Sequence, residues 1–129
     1  MAADPFYAQC CVTGVPAAEQ KVEWHHAMIY AGKQVQERWC IIPLLDTVHA
    51  NEKKRGVRQV IDWIIFNRAT DEELRKYSKT INYIKRREWL NKHFKGPWVE
   101  GKYFELTPSG NLSKKRTSSR RYIRFYGDY

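Results

Sequence analysis

Three of the four histidines in this 129-residue chain lie near one another in sequence, at His25, His26 and His49. His25 and His26 end a stretch of alternating polar and apolar residues that is typical of a strand. An apolar segment of strand length precedes His49, which stands at the start of a predicted helix. A hairpin of this length can return its second strand beside the first. The start of the helix can then face the end of the first strand.

Imidazoles in this arrangement suit the hydrolysis of a phosphodiester bond. A divalent metal held by one or two imidazoles can contact the scissile phosphate and stabilise the leaving oxygen. A neighbouring imidazole that binds no metal, with an ordinary pKa near ~6.5, can take a proton from the attacking water. Because adjacent strand residues point to opposite faces, we expect His25 and His26 to have different roles, one as ligand and one as base.

A purely structural interpretation of the same residues stays open. A pair of adjacent histidines is common on protein surfaces. In that case His25 and His26 flank a strand and His49 caps a helix. His93, alone near the end of a predicted helix, is expected to act only as a favourable cation at the C-terminal helix dipole.

The elements that must position these histidines follow from the spacing of apolar residues. Residues 21–24 and 39–44 predict two short strands, and Pro43 is expected to end the second one. An amphipathic helix is predicted over about residues 48–68. Its apolar positions, at helical spacing, are Val57, Val60, Ile61, Ile64 and Ile65.

The second half of the chain predicts another long helix and then a β-hairpin. Residues 70–73 form a capping-box pattern, and the helix they open is expected to run to Phe94. Its predicted apolar stripe is Leu74, Tyr77, Ile81 and Ile84. Residues 98–106 predict a strand, residues 107–110 a turn, and residues 112–126 a second strand or a mobile tail.

The histidine segment resembles the HNH (ββα-metal) endonucleases, especially the small phage-type members. The resemblance covers about residues 10–68 and is carried by Glu23-Trp24-His25-His26, Ile42-Pro43-Leu44 and His49. It implies that His25 and His49 hold one divalent ion, Mg²⁺ or Mn²⁺, and that His26 is the general base. The fold class expected is α+β: a ββα-metal motif, then long helices, then a basic C-terminal hairpin or tail.

Three positions depart from the family pattern. Cys40 stands where the family usually has an asparagine that helps to hold the loop, and a thiol suits neither that role nor a hard cation. Lys53 stands where some members have a further histidine ligand, and it could contact phosphate instead. Leu45 and Val48 replace a pair of zinc-knuckle cysteines, which leaves Cys11 without the partners of a four-ligand site. We therefore expect a packed knuckle with no structural zinc.

The charge of the chain points to a polyanionic partner. The sequence has 23 Lys and Arg against 14 Asp and Glu, a net charge of +9, which favours nucleic acid over a membrane surface. We expect DNA to contact two basic groups: Lys53, Lys54, Arg55 and Arg58 beside the proposed metal, and Lys114, Lys115, Arg116, Arg120, Arg121 and Arg124 in the tail. Aromatic residues at Tyr122, Phe125 and Tyr126 alternate with the tail arginines and could stack on bases.

Length and composition set the expected organisation. We divide the chain into a nuclease core with a helical extension, residues 1–97, and a basic hairpin or tail, residues 98–129. No apolar run is long enough to span a membrane, and the N-terminus lacks signal-peptide features. Three cysteines are expected to be reduced thiols. A cytoplasmic location follows as the expectation, the host cytoplasm if a phage encodes the chain, and a homodimer is possible.

Three functions fit these observations. The first is a metal-dependent endonuclease that hydrolyses DNA. The second is a non-catalytic nucleic-acid-binding protein with a degenerate HNH fold, which has lost its chemistry through Cys40 and Lys53. The third is a basic adaptor or inhibitor that binds a nucleoprotein complex. Metal-dependent nicking of DNA distinguishes the first from the others, and salt-sensitive DNA binding distinguishes the second from the third.

Overall fold

Two antiparallel strands and the helix after them carry the histidines. A computed structural model describes residues 4–114, in which β1 (Val22–His26) pairs with β4 (Ile41–Leu45) and α1 (Asp46–Ala50) follows at once. In this register His25 lies opposite Ile42, and Trp24 lies opposite Pro43. Pro43 therefore lies inside the strand rather than ending it, because a two-stranded sheet leaves one edge of β4 free of ladder partners.

The loop between these strands forms a small hairpin that the sequence pattern did not predict. Its strands are β2 (Ile29–Tyr30) and β3 (Lys33–Gln34), paired antiparallel. Ala31 and Gly32 connect them with φ values of 53° and 78°, so both residues of the turn are left-handed. A two-residue hairpin turn of this type matches the twist of its strands.

The helix predicted over about residues 48–68 is divided in two. A turn separates α1 from α2, which spans Arg55–Arg68. Residues 51–54 are all polar, so no side chain holds that turn against the core. The backbone N–H groups of Asn51 and Glu52 donate to carbonyls three residues earlier, at 3.0 and 3.2 Å, which gives a turn instead of a continued α-helix.

The helix predicted from the capping box to Phe94 is also divided. The box itself is confirmed: the Thr70 hydroxyl accepts from the Glu73 N–H, and the Glu73 side chain accepts from the Thr70 N–H. However, α3 ends at Lys76 (Asp71–Lys76), and α4 (Tyr83–His93) starts with its own cap, the Asn82 side chain. Polar side chains at residues 78–82 compete for backbone groups and interrupt the helix.

The apolar stripe predicted for that helix is only partly correct. Leu74 is fully buried, whereas Ile81 lies in the interruption and is 51% exposed. The stripe assumed one continuous helix, and the break changes which way the later residues face.

A short hairpin closes the described part of the chain. Strands β5 (Phe104–Leu106) and β6 (Leu112–Lys114) pair antiparallel around the predicted turn. The first strand is shorter than predicted, because residues 99–102 form a turn with Gly101 at φ 100°. The Phe104 N–H donates to the Val12 carbonyl at 2.7 Å, so the hairpin packs on the same core as the histidine-bearing strands.

Helix α2 supplies much of that core. Its buried residues are Val57, Val60, Ile61, Trp63, Ile64, Ile65 and Phe66. They pack with Ile42 and Leu44 of β4, with Leu90 of α4, and with Trp98 and Phe104. In residues 4–114 the protein is thus a small α+β fold with three two-stranded antiparallel sheets and four α-helices. None of the helices described there is long and apolar enough to cross a membrane.

Candidate metal centre

His25, His49 and Glu52 bring their ligand atoms to one point. Each side chain offers one such atom, and the three atoms lie within 4.8 Å of one another. The Nε2 of His25 is 2.6 Å from one Glu52 oxygen, and the Nε2 of His49 is 3.7 Å from the other. The two imidazole rings have centroids 4.4 Å apart.

Three neighbouring elements position these groups. His25 lies near the end of β1, and α1 places His49 against it because α1 follows the paired strand directly. Glu52 lies in the turn after α1, three residues beyond His49, and so returns to the same side. The turn that divides the predicted helix is therefore the element that carries the carboxylate into the cluster.

Glu23 fixes the orientation of His49. It lies two residues before His25 in β1, so both side chains are on one face of the strand. Its Oε1 is 2.9 Å from Nδ1 of His49, and this hydrogen bond lowers the pKa of Glu23. With its Nδ1–H donated to Glu23, His49 keeps an unprotonated Nε2 that faces Glu52. Such a carboxylate partner is usual behind a metal-ligating histidine.

The state of His25 fits a metal ligand. Its side chain is only 13% exposed, and burial lowers its pKa, which favours the neutral imidazole. The Nε2 atom is buried and makes no hydrogen bond of acceptable direction, although the Glu52 oxygen is 2.6 Å away. A short contact without hydrogen-bond direction is what two ligand atoms aimed at a shared cation produce.

The donor set allows several divalent ions. Two imidazole nitrogens and one carboxylate oxygen are compatible with Mn²⁺ or Zn²⁺, and Mg²⁺ would rely more on the carboxylate and on water. A cavity of about 570 Å³ opens beside the cluster, so further coordination positions would be accessible to water or substrate.

His26 points away from the cluster, as the alternation along a strand requires. Its Nε2 is 3.1 Å from the Oε1 of Gln36, and the residue lines the same cavity as His25 and His49. With the Gln36 oxygen as acceptor, Nε2 carries the proton and Nδ1 is the nitrogen free to accept one. The structure thus separates the environments of the two adjacent histidines.

Cys40 holds the loop between the strands, contrary to the expectation that a thiol would not. It is fully buried, and its thiol donates to the Glu37 carbonyl at 3.3 Å. Its carbonyl accepts from the Ala27 N–H at 2.8 Å. Burial raises the pKa of the Cys40 thiol to about 11, so it stays a neutral donor. The substitution for the family asparagine is a structural replacement and lies outside the cluster.

The knuckle positions are packed into the core. Cys10 and Cys11 are buried, as are Leu45 and Val48 where other family members have cysteines. The N–H of Cys11 donates to the carbonyl of Pro43 at 2.9 Å, which ties the N-terminal segment to β4. Within residues 4–114, no cysteine belongs to a group that could share a metal ion.

Two of the predicted DNA-contacting residues lie at the cluster. Lys53 and Arg58 line its cavity. Arg58 is fixed by a hydrogen bond to the carbonyl of Ala27 and by an ion pair with Asp62 at 2.8 Å. Burial raises the pKa of Asp62, and the Arg58 charge acts in the opposite direction.

The other predicted basic contacts are not at the cluster. Lys54 donates to the carbonyl of Ser109 in the C-terminal hairpin, and Arg55 is an exposed residue at the start of α2. Lys114 lines a separate cavity with Trp63 and Phe94. Five residues of the predicted tail lie outside the described residues: Lys115, Arg116, Arg120, Arg121 and Arg124.

The sequence pattern did not single out Glu52, and it matched Glu23 to the family without a role. A signal existed for both. Glu52 is three residues after His49, and Glu23 is two residues before His25, which are the spacings that share a face on a helix and on a strand. The resemblance drew attention to Lys53 instead, one residue beyond the carboxylate that joins the cluster.

No family model, no curated protein and no solved structure matches this chain.

Proposed function

We propose that this chain is a metal-dependent endonuclease of the HNH type that hydrolyses phosphodiester bonds in DNA. In this proposal β1, β4 and α1 are the two strands and the helix of a ββα-metal motif. The observation that carries the proposal is the His25, His49 and Glu52 cluster, which opens into a cavity that a second histidine and two basic side chains also line.

In the proposed reaction, His25, His49 and Glu52 hold one Mg²⁺ or Mn²⁺ ion. When bound, this ion would polarise the scissile phosphate and stabilise the charge on the leaving oxygen. His26 accepts the proton of the attacking water at Nδ1, and Gln36 holds its ring through Nε2. Lys53 and Arg58 bind phosphate groups, and the Asp62 ion pair holds the Arg58 guanidinium in place.

Nicking of supercoiled plasmid tests the proposal. We expect cleavage with Mg²⁺ or Mn²⁺ and none with EDTA. His26→Ala should lower the rate by roughly 10²–10⁴, while DNA affinity stays within a few-fold, because a general base contributes to rate and little to binding. His93→Ala is the matched control, since His93 lies in the last turn of α4 and lines none of the cavity.

Two outcomes contradict the proposal. Cleavage by His26→Ala at the wild-type rate would remove His26 from the reaction. Wild-type protein that binds DNA in a salt-sensitive way, yet nicks none with any divalent ion, would favour the non-catalytic nucleic-acid-binding protein instead.

A further inference from the structure

Exposed apolar side chains gather on the face that carries the metal cluster. In residues 4–114 five large hydrophobic residues are strongly exposed, and three of them border the cavity of the cluster or the cavity next to it. These three are Trp24, Ile29 and Ile81, at 66%, 68% and 51% exposure. An isolated exposed apolar residue needs no explanation, whereas several around one groove mark a binding surface.

Two cavities form one continuous groove. The cavity at the cluster and a second of about 440 Å³ share Ile29 and Arg58 in their walls. The second cavity is also lined by Arg86 and Tyr83 of α4. The groove therefore runs from β1, past the cluster, to α4.

Trp24 is built as a fixed platform at one end of the groove. Its ring packs on Tyr7, with centroids 4.9 Å apart, and remains 66% exposed. Tyr7 is itself held by a hydrogen bond from its hydroxyl to the Ile41 carbonyl at 2.7 Å. A large aromatic surface held in this way loses little conformational entropy when a planar ligand stacks on it.

The other end of the groove combines charge with a second exposed ring. The Arg86 guanidinium lies 4.9 Å from the centre of the Trp89 ring, and Trp89 is 44% exposed. Trp89 also stacks on His93, with centroids 5.1 Å apart and planes 9° apart. Asp62 is the acidic residue of this cavity, and its pairing with Arg58 leaves the Arg86 charge toward the groove.

Aromatic platforms alternating with arginines are suited to an unpaired strand of nucleic acid. A duplex presents phosphates and sugars to a protein groove and keeps its base faces stacked inside. An unpaired strand presents both phosphates and base faces, so arginines and exposed rings are satisfied together. The net charge of +9 supplies the complementary field.

We propose that this groove binds an unpaired DNA strand across the metal cluster, with bases stacked on Trp24 and Trp89 and phosphates held by Arg58 and Arg86. The inference rests on the proposed function and names its substrate class: DNA that is single-stranded at the point of cleavage. The groove has exposed apolar groups on both sides of the cluster, so the strand enters and leaves the site unpaired.

Fluorescence anisotropy of a labelled 15-nucleotide strand and of its duplex tests the proposal, with full-length protein in EDTA so that nothing is cleaved. We expect tighter binding of the single strand. Trp24→Ala should weaken single-strand binding by roughly 5- to 150-fold, the range for loss of one stacked base, and change duplex binding less than twofold. Trp24→Phe should retain most of the affinity.

Matched variants make the result specific. Trp89→Ala should weaken single-strand binding in the same direction, and it lies on an exposed helix face where the substitution keeps the fold. Val99→Ala removes another exposed apolar residue, 53% exposed and outside both cavities, and should change nothing. Arg75→Ala, on α3 and also outside both cavities, should weaken binding less than Arg86→Ala.

Several results would overturn the proposal. Unchanged single-strand affinity in both tryptophan variants would refute the stacking platforms. Equal losses on single strand and duplex would refute the preference for unpaired DNA. Tighter tryptophan-dependent binding of the matching RNA strand would refute the assignment to DNA.

The test separates this inference from the proposed function. Metal-dependent nicking of duplex plasmid, without any preference for single strands, would contradict the groove and leave the nuclease intact. Tryptophan-dependent single-strand binding by a protein that cleaves no DNA would support the groove and contradict the nuclease.

Discussion

Replacing Glu23 with glutamine tests whether the hydrogen bond to His49 matters to a bound metal. Glu23→Gln keeps the length of the side chain and an oxygen that can accept from Nδ1 of His49, 2.9 Å away. It removes only the negative charge. In the cluster that charge makes the His49 ring a more basic ligand and holds one tautomer.

The expected size of the effect follows from this single contact. Loss of a partner behind a ligating histidine typically weakens metal binding by about 10- to 100-fold. Glu23 is one-third exposed, and glutamine preserves the geometry, so we expect the lower end, roughly 10-fold. Glu23→Ala removes both the charge and the acceptor and should approach 100-fold.

Isothermal titration calorimetry with Mn²⁺ at pH 7.5 measures the effect. Lys21→Ala is the matched control, because Lys21 is the other partner of Glu23, at 3.7 Å, and is 76% exposed. Its removal should leave Mn²⁺ affinity unchanged. Thermal melts of each variant check that the fold is retained. Equal Mn²⁺ affinity in the wild type, Glu23→Gln and Glu23→Ala would refute the argument that His49 is a ligand positioned by Glu23.

Three further predictions concern the fold and the tail. Because burial raises the pKa of Cys40 from 9.0 to about 11, the folded thiol keeps its proton in a range where the unfolded one loses it. Stability should therefore fall as pH rises from 9 to 11, and urea titrations should show a fall smaller by at most about 3 kcal/mol in Cys40→Ala; an equal fall in both proteins would contradict this. Thr70→Ala breaks the capping box and should lower the free energy of unfolding by about 1 kcal/mol, while the exposed Thr80→Ala should not. Truncation after Lys114 keeps β6 and removes five basic residues; each lost phosphate contact should lower the log–log salt slope by roughly 0.9 on duplex DNA, and an unchanged slope would exclude the tail from binding.

The parts of the fold that follow from local pattern were predictable. The buried face of α2 repeats at helical spacing, and the Thr70 capping box and the turn at residues 107–110 each have a local chemical signature. Alternation along β1 likewise predicted different environments for His25 and His26, and the two side chains do have different partners.

The helix interruptions were not predictable from apolar spacing. Residues 51–54 and 77–82 fall between apolar positions that are themselves in register, so a single helix fits the pattern as well as two. Whether the chain bends there depends on contacts from distant residues, such as Lys54 with the carbonyl of Ser109. Periodicity contains no information about those contacts.

The carboxylate of the cluster depended on one such interruption. In a straight helix over residues 48–68, Glu52 would have been one more acidic residue on a solvated face. The turn after α1 gives it a place next to His25, which is distant in sequence. Cys40 shows the same limit in reverse: its residue type suggested a defect, and only its burial reveals that it holds the loop.

Anomalous diffraction from a crystal soaked in Mn²⁺ would locate the proposed metal ion itself. We expect one strong manganese peak within about 2.0–2.4 Å of the Nε2 atoms of His25 and His49 and of a Glu52 oxygen. The peak should disappear in crystals of His49→Ala. No peak at this cluster, or a peak bound by other residues, would contradict the assignment of a metal centre here and with it the proposed chemistry.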